Sequence, residues 1–87
     1  MAPRARGMRK SVHSPEYRAF CELIARTRKK AGLTQHALAK RLGRPQSFVA
    51  KYEGGERRLD VVEFITVARA IGADPVVLLR ALSKPRA

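Results

Sequence analysis

The chain has 87 residues, of which 45% are hydrophobic and 6% aromatic, so it has room for one small domain with a core of Leu, Val, Ile and Ala, and not for two. Nineteen Lys and Arg against seven Asp and Glu give a charge of +12, unevenly spread: fifteen basic and four acidic residues in 1–58 (+11), four and three in 59–87 (+1). That balance points to a polyanionic partner, nucleic acid ahead of an anionic membrane, while the single Cys21 excludes an internal disulfide and no apolar run approaches the roughly 20 residues of a membrane span.

Residues 1–13 are basic, contain Pro and Gly and lack hydrophobic periodicity, which predicts a flexible arm; no apolar stretch follows, as a secretory signal would require. A first helix opens at Ser14 as N-cap, with Pro15 at its first position and Glu16 facing the positive end of the helix dipole. Phe20, Leu23, Ile24, Thr27 and Ala31 recur at helical spacing, "RTRKK" places cations in the last turn, and Gly32 is expected as a left-handed cap. Cys21 falls within this pattern as an inert core thiol.

Thr34 caps a second helix of about eight residues with Leu38, Ala39 and Leu42 inward. Gly43 closes it, and Pro45 pre-sets the backbone for a third helix with Phe48, Val49 and Tyr52 on its apolar side, stopped by Gly54-Gly55. After the polar loop "GERRL", Asp60 and Glu63 form a D-x-x-E capping box. The helix it opens is expected to bury Val61, Phe64, Ile65, Ala68 and Ile71. Gly72 ends it, and Asp74-Pro75 opens a fifth helix, "PVVLLRAL". No segment alternates as a strand would. The expectation is an all-α, compact five-helix domain over 14–83, flanked by the basic arm 1–13 and a tail, 84–87.

Two short helices joined through Gly43, the second with polar residues outward, make a helix-turn-helix. The string "LTQHALAKRLGRPQSFVAKYEGGERRLDVVEFITVARAIGADP" resembles the lambda-repressor-like, or XRE/Cro-type, helix-turn-helix family: T-Q opening helix two, A-x-x-L-G before the turn, S-x-V-x-x-x-E-x-G through helix three, A-x-A-I-G-x-x-P afterwards. The resemblance covers about Ala19 to Leu82. It implies DNA binding as a dimer, with helix three in the major groove.

Carried onto this sequence, the resemblance makes Gln46, Ser47, Ala50 and Lys51 the base-reading positions. Gln pairs with adenine, Lys with guanine, and Ala50 can meet a thymine methyl. Gln35 matches a phosphate-binding glutamine at a helix N-terminus, and Arg57 and Arg58 match a loop that grips phosphate. Arg28 and Glu53 occupy positions that pair in some members. Arg44-Pro45 departs from the small polar residues commoner in the turn; Arg44 is expected on a phosphate or a base edge. For Arg26, Lys29 and Lys30, a solvated face and a phosphate contact remain equally open. In the arm (Arg4, Arg6, Arg9, Lys10), minor-groove insertion is an alternative to a free polar segment.

His13 and His36 stand apart from any metal-ligand cluster, and no catalytic triad, phosphate loop or zinc spacing is present. No enzyme activity and no cofactor are therefore expected. Val76, Val77, Leu79 and Leu82 crowd apolar residues around helix five and mark a dimer interface. The function expected is a cytoplasmic, nucleoid-associated regulator that binds double-stranded DNA specifically, a homodimeric repressor on a palindromic operator. The rivals are a controller-type activator, an antitoxin that also binds a toxin, and a nucleoid protein indifferent to sequence. The polar set on helix three argues against the last. With no room for a ligand-sensing domain, control by abundance, proteolysis or a protein regulator is expected.

Overall fold

The structure, a computed structural model, describes residues 14–84; the arm 1–13 and the last three residues of the tail lie outside the described residues. Among these, five helices run in order: α1 Pro15–Lys30, α2 Gln35–Leu42, α3 Gln46–Glu53, α4 Val61–Ile71 and α5 Pro75–Ser83. No strand occurs among the described residues.

Short polar side chains start four of the helices. The Tyr17 N–H donates to Ser14 Oγ at 3.0 Å, Ala37 N–H to Thr34 Oγ1 at 3.0 Å, and Val76 N–H to Asp74 Oδ1 at 2.9 Å. At α4 the box is reciprocal: Glu63 N–H to Asp60 Oδ1 at 2.7 Å and Asp60 N–H to Glu63 Oε1 at 3.0 Å. Helix α3 differs. Pro45 holds the N-cap position and makes no side-chain capping bond, so the start of α3 depends on packing and on the preceding turn. That turn requires Gly43, whose φ of 67° lies in the left-handed region that a β-carbon penalises. Gly32 is also left-handed, but α1 is capped one residue earlier by Ala31.

Helices of eight residues are unstable alone in water, so α2 and α3 depend on what they bury. Leu38, Val49 and Tyr52 are 0% exposed, and they join Ile24, Ala39, Phe48, Phe64, Val67, Ala68, Ile71 and Leu78 in one core. Each large apolar side chain so buried contributes about 1.5–3 kcal/mol. The Phe20 and Phe64 rings meet at a tilt with centroids 5.5 Å apart, tying α1 to α4. Cys21 lies in the interior, where burial pushes its thiol pKa up and keeps it protonated and unreactive.

Of the core residues expected on α4, Ile65 is only half-buried against the core and Val61 is not buried. Val61 is 72% exposed, and Val67 completes the α4 stripe in its place. Val61 shares the face of Ala68, but it sits on the first turn, beyond the helices that cover Phe64 and Val67. There it lines an open apolar groove with Tyr17, Phe20, Leu59, Leu79 and Leu82.

Candidate nucleic-acid interface

Helix α3 turns Phe48, Val49 and Tyr52 into the core, which leaves Gln46, Ser47 and Lys51 exposed and Ala50 half-buried between them. Four side chains brace this helix. Arg28 of α1 donates from Nε to Glu53 Oε2 at 2.7 Å, from Nη2 to Glu53 Oε1 at 3.0 Å, and from Nη1 to the Leu33 carbonyl at 2.6 Å. Glu53 Oε1 also accepts from Gln35 Nε2 at 2.9 Å, and Gln35 Oε1 accepts from Gln46 Nε2 at 2.8 Å. The direction of the chain follows from chemistry: an ionised carboxylate can only accept, so Gln35 turns its NH2 to Glu53 and its oxygen to Gln46. The path runs from a buried ion pair to the first exposed residue of α3. The carboxylate beside Arg28 raises the guanidinium's already high pKa, so the cation at its root is permanent.

A second cluster lies at the α2–α3 turn and the loop after α3. The guanidiniums of Arg44 and Arg57 stand over the Phe48 ring, 4.4 and 4.8 Å from its centroid, and cover the aromatic that α3 buries beneath them. Glu63 pairs with Arg57 through both oxygens, at 2.9 and 3.1 Å, and lies 3.9 Å from Arg44. The loop itself is fastened to α1 by Tyr17, whose hydroxyl accepts from Leu59 N–H at 3.0 Å and donates to the Arg57 carbonyl at 3.4 Å. Arg58 is exposed, its guanidinium 5.8 Å from the centre of the Tyr17 ring.

A helix-turn-helix domain family pattern matches residues 19–82 of the chain. Among solved structures, an XRE-family like protein from Pseudomonas syringae pv. tomato str. DC3000 is 53% identical, with a TM-score of 0.78 over 84% of this chain and 89% of that one. The chain belongs to the XRE-type helix-turn-helix family. A search of curated proteins finds no match.

The XRE-type helix-turn-helix makes the chain a DNA-binding regulator, and within it α3 turns the Gln46–Ser47–Lys51 row outward. The structure brings Gln35 and Gln46 together, and it brings Arg44 and Arg57 together. Val76, Val77 and Leu79 stand apart on α5, about half exposed, with Leu82 half-buried; Leu78 is the α5 residue that enters the core. Reasoning from sequence missed two side chains that hold the loop after α3. Tyr17 reads as one more residue on α1, and nothing in the sequence marks its hydroxyl as the fastener of a loop 40 residues later. Glu63 reads as a capping residue alone, although an arginine six positions earlier was the available signal. Among the described residues no group of His, Cys, Asp or Glu could hold a metal ion, and no helix is long and apolar enough to cross a membrane.

Proposed function

We propose that this protein is a sequence-specific transcriptional regulator, a homodimeric cytoplasmic repressor that covers a short inverted-repeat operator. The observation that carries the reading is the Gln35–Gln46 hydrogen bond, rooted through Glu53 in the buried Arg28 pair. It fixes the first outward side chain of α3 before DNA arrives, so less rotamer entropy is lost on binding. The Gln46 amide meets the N6/N7 edge of adenine and Lys51 the O6/N7 edge of guanine, while Ser47 and Ala50 lie against the bases between. Gln35, at the first turn of α2, keeps one amide hydrogen for a phosphate, where the N-terminal dipole of α2 adds to it. Arg44, Arg57 and Arg58 supply sequence-independent grip on the backbone.

The α5 face of Val76, Val77, Leu79 and Leu82 joins two copies about a two-fold axis. The two recognition helices then lie about 34 Å apart, facing half-sites about 10 bp apart, centre to centre. Repression follows from occupancy, because a dimer seated on promoter DNA blocks polymerase. Selection of bound duplexes from a randomised pool tests this reading. It is expected to return an inverted repeat with half-sites one helical turn apart; enrichment of no sequence at all would contradict it.

A further inference from the structure

We propose that Glu63 is an intramolecular competitor of the DNA backbone: its carboxylate holds the Arg57 guanidinium, with Arg44 beside it, in the place a phosphate would take, and so weakens binding to DNA of any sequence. This rests on the DNA-binding reading of the helix-turn-helix.

The geometry separates what is fixed from what can leave. Glu63 is pinned by the α4 capping box, since its Oε1 accepts from Asp60 N–H while its own N–H bonds Asp60 Oδ1. Arg57 belongs to the loop between α3 and α4 and is 39% exposed. Its two terminal nitrogens both point at Glu63, and one of them also bonds the Arg58 carbonyl. That two-pronged face is the one a phosphate engages. To hold DNA with it, Arg57 must leave Glu63; the acid cannot follow without opening the start of α4. A partly exposed ion pair is weak enough for that exchange. Arg44, 3.9 Å from the same oxygen, feels the same carboxylate at longer range.

The consequence is selective. Contacts to phosphate raise affinity for every sequence alike, whereas Gln46, Ser47 and Lys51 act only where the bases match. An acid that restrains the phosphate-gripping arginines lowers the common term and leaves the base-reading term intact. A chain with a charge of +12 has a reason for such a restraint, since otherwise it would be held on DNA at random. The opposite role, an acid that merely orients Arg57 for DNA, predicts the reverse effect on affinity.

The experiment compares the parent and Glu63→Gln on a short random-sequence duplex across a salt series, each also in an Arg57→Ala background. Gln at this position still accepts from the Asp60 N–H, so α4 keeps its cap. Glu56→Gln serves as the control for charge alone: Glu56 is an exposed acid of the same loop with no ion pair among the described residues. Glu63→Gln is expected to bind random DNA about tenfold tighter, with a salt slope steeper by about 0.9 for each arginine released. Most of that gain disappears in the Arg57→Ala background, and Glu56→Gln shows little of it. Unchanged or weaker binding by Glu63→Gln overturns the proposal, as does an equal gain with and without Arg57. If the parent binds no DNA at all, the DNA-binding reading falls with it; if the parent binds and Glu63→Gln matches it, the competitor role alone falls.

Discussion

Arg28 and Glu53 join α1 to the last residue of α3 through two hydrogen bonds, with their side chains only 8% and 7% exposed. Arg28 is the one charged residue in the buried class among the described residues. Burial changes what the pair is worth. A surface pair contributes about 0–1 kcal/mol, whereas removing one partner of a buried pair strands the other and costs about 3–5 kcal/mol. Arg28→Ala and Glu53→Ala are each expected in the upper range, with the double variant well short of their sum. Urea denaturation of all four proteins measures the coupling; additive losses would show that the two side chains do not act together.

Two tyrosines offer a contrast in sign. The Tyr17 hydroxyl bridges Leu59 N–H and the Arg57 carbonyl, so Tyr17→Phe is expected to cost about 1 kcal/mol and to speed hydrogen exchange at the Leu59 amide. The Tyr52 hydroxyl is fully buried with no hydrogen-bond partner among the described residues, and burial pushes its pKa up. Tyr52→Phe removes an unsatisfied polar atom and is expected to be neutral or stabilising. A loss of more than about 1 kcal/mol in Tyr52→Phe would mean that the hydroxyl is satisfied in solution.

Much of the fold was legible because capping and periodicity are local. Ser14, Thr34, Asp60 and Asp74 announce helix starts through their own side chains, and Leu38, Val49 and Tyr52 recur on one face whatever packs against them. Val61 was misread because periodicity fixes a face and not the reach of the neighbours that cover it. At the site, the outward row of α3 was legible once the inward row was known. The bonds from Gln35 to Glu53 and Gln46, like the clasp of Tyr17 on the Arg57–Leu59 loop, arise from the crossing of helices. No spacing within one segment encodes them.

The Arg57 guanidinium and the Asp60 N–H hold the Glu63 carboxyl well below its ordinary 4.5, at about 2. A depressed carboxylate stabilises the fold above its unfolded pKa, and that contribution fades as pH falls from about 4.5 towards 2. Glu63→Gln cannot titrate and is expected to lose less stability than the parent across this window. Denaturation profiles at several pH values, compared between the two proteins, check it; identical slopes would contradict the assignment.

Val76, Val77 and Leu79 leave an apolar surface on α5 that no other described residue covers. Leu79→Glu is expected to hold the chain monomeric and to abolish tight operator binding while leaving the helical circular-dichroism signal nearly unchanged. Sedimentation at micromolar concentration, with and without operator, measures this; a parent that is monomeric in both states would remove the interface.

The most direct test of the central claim, that α3 reads base sequence, is the affinity of a Gln46→Ala/Lys51→Ala variant for the selected operator and for random DNA at one salt concentration. Each lost base contact is expected to cost roughly 1–3 kcal/mol on the operator, while binding to random DNA changes far less, so the ratio of the two affinities collapses. A variant that retained the parent's preference for its operator would contradict the reading.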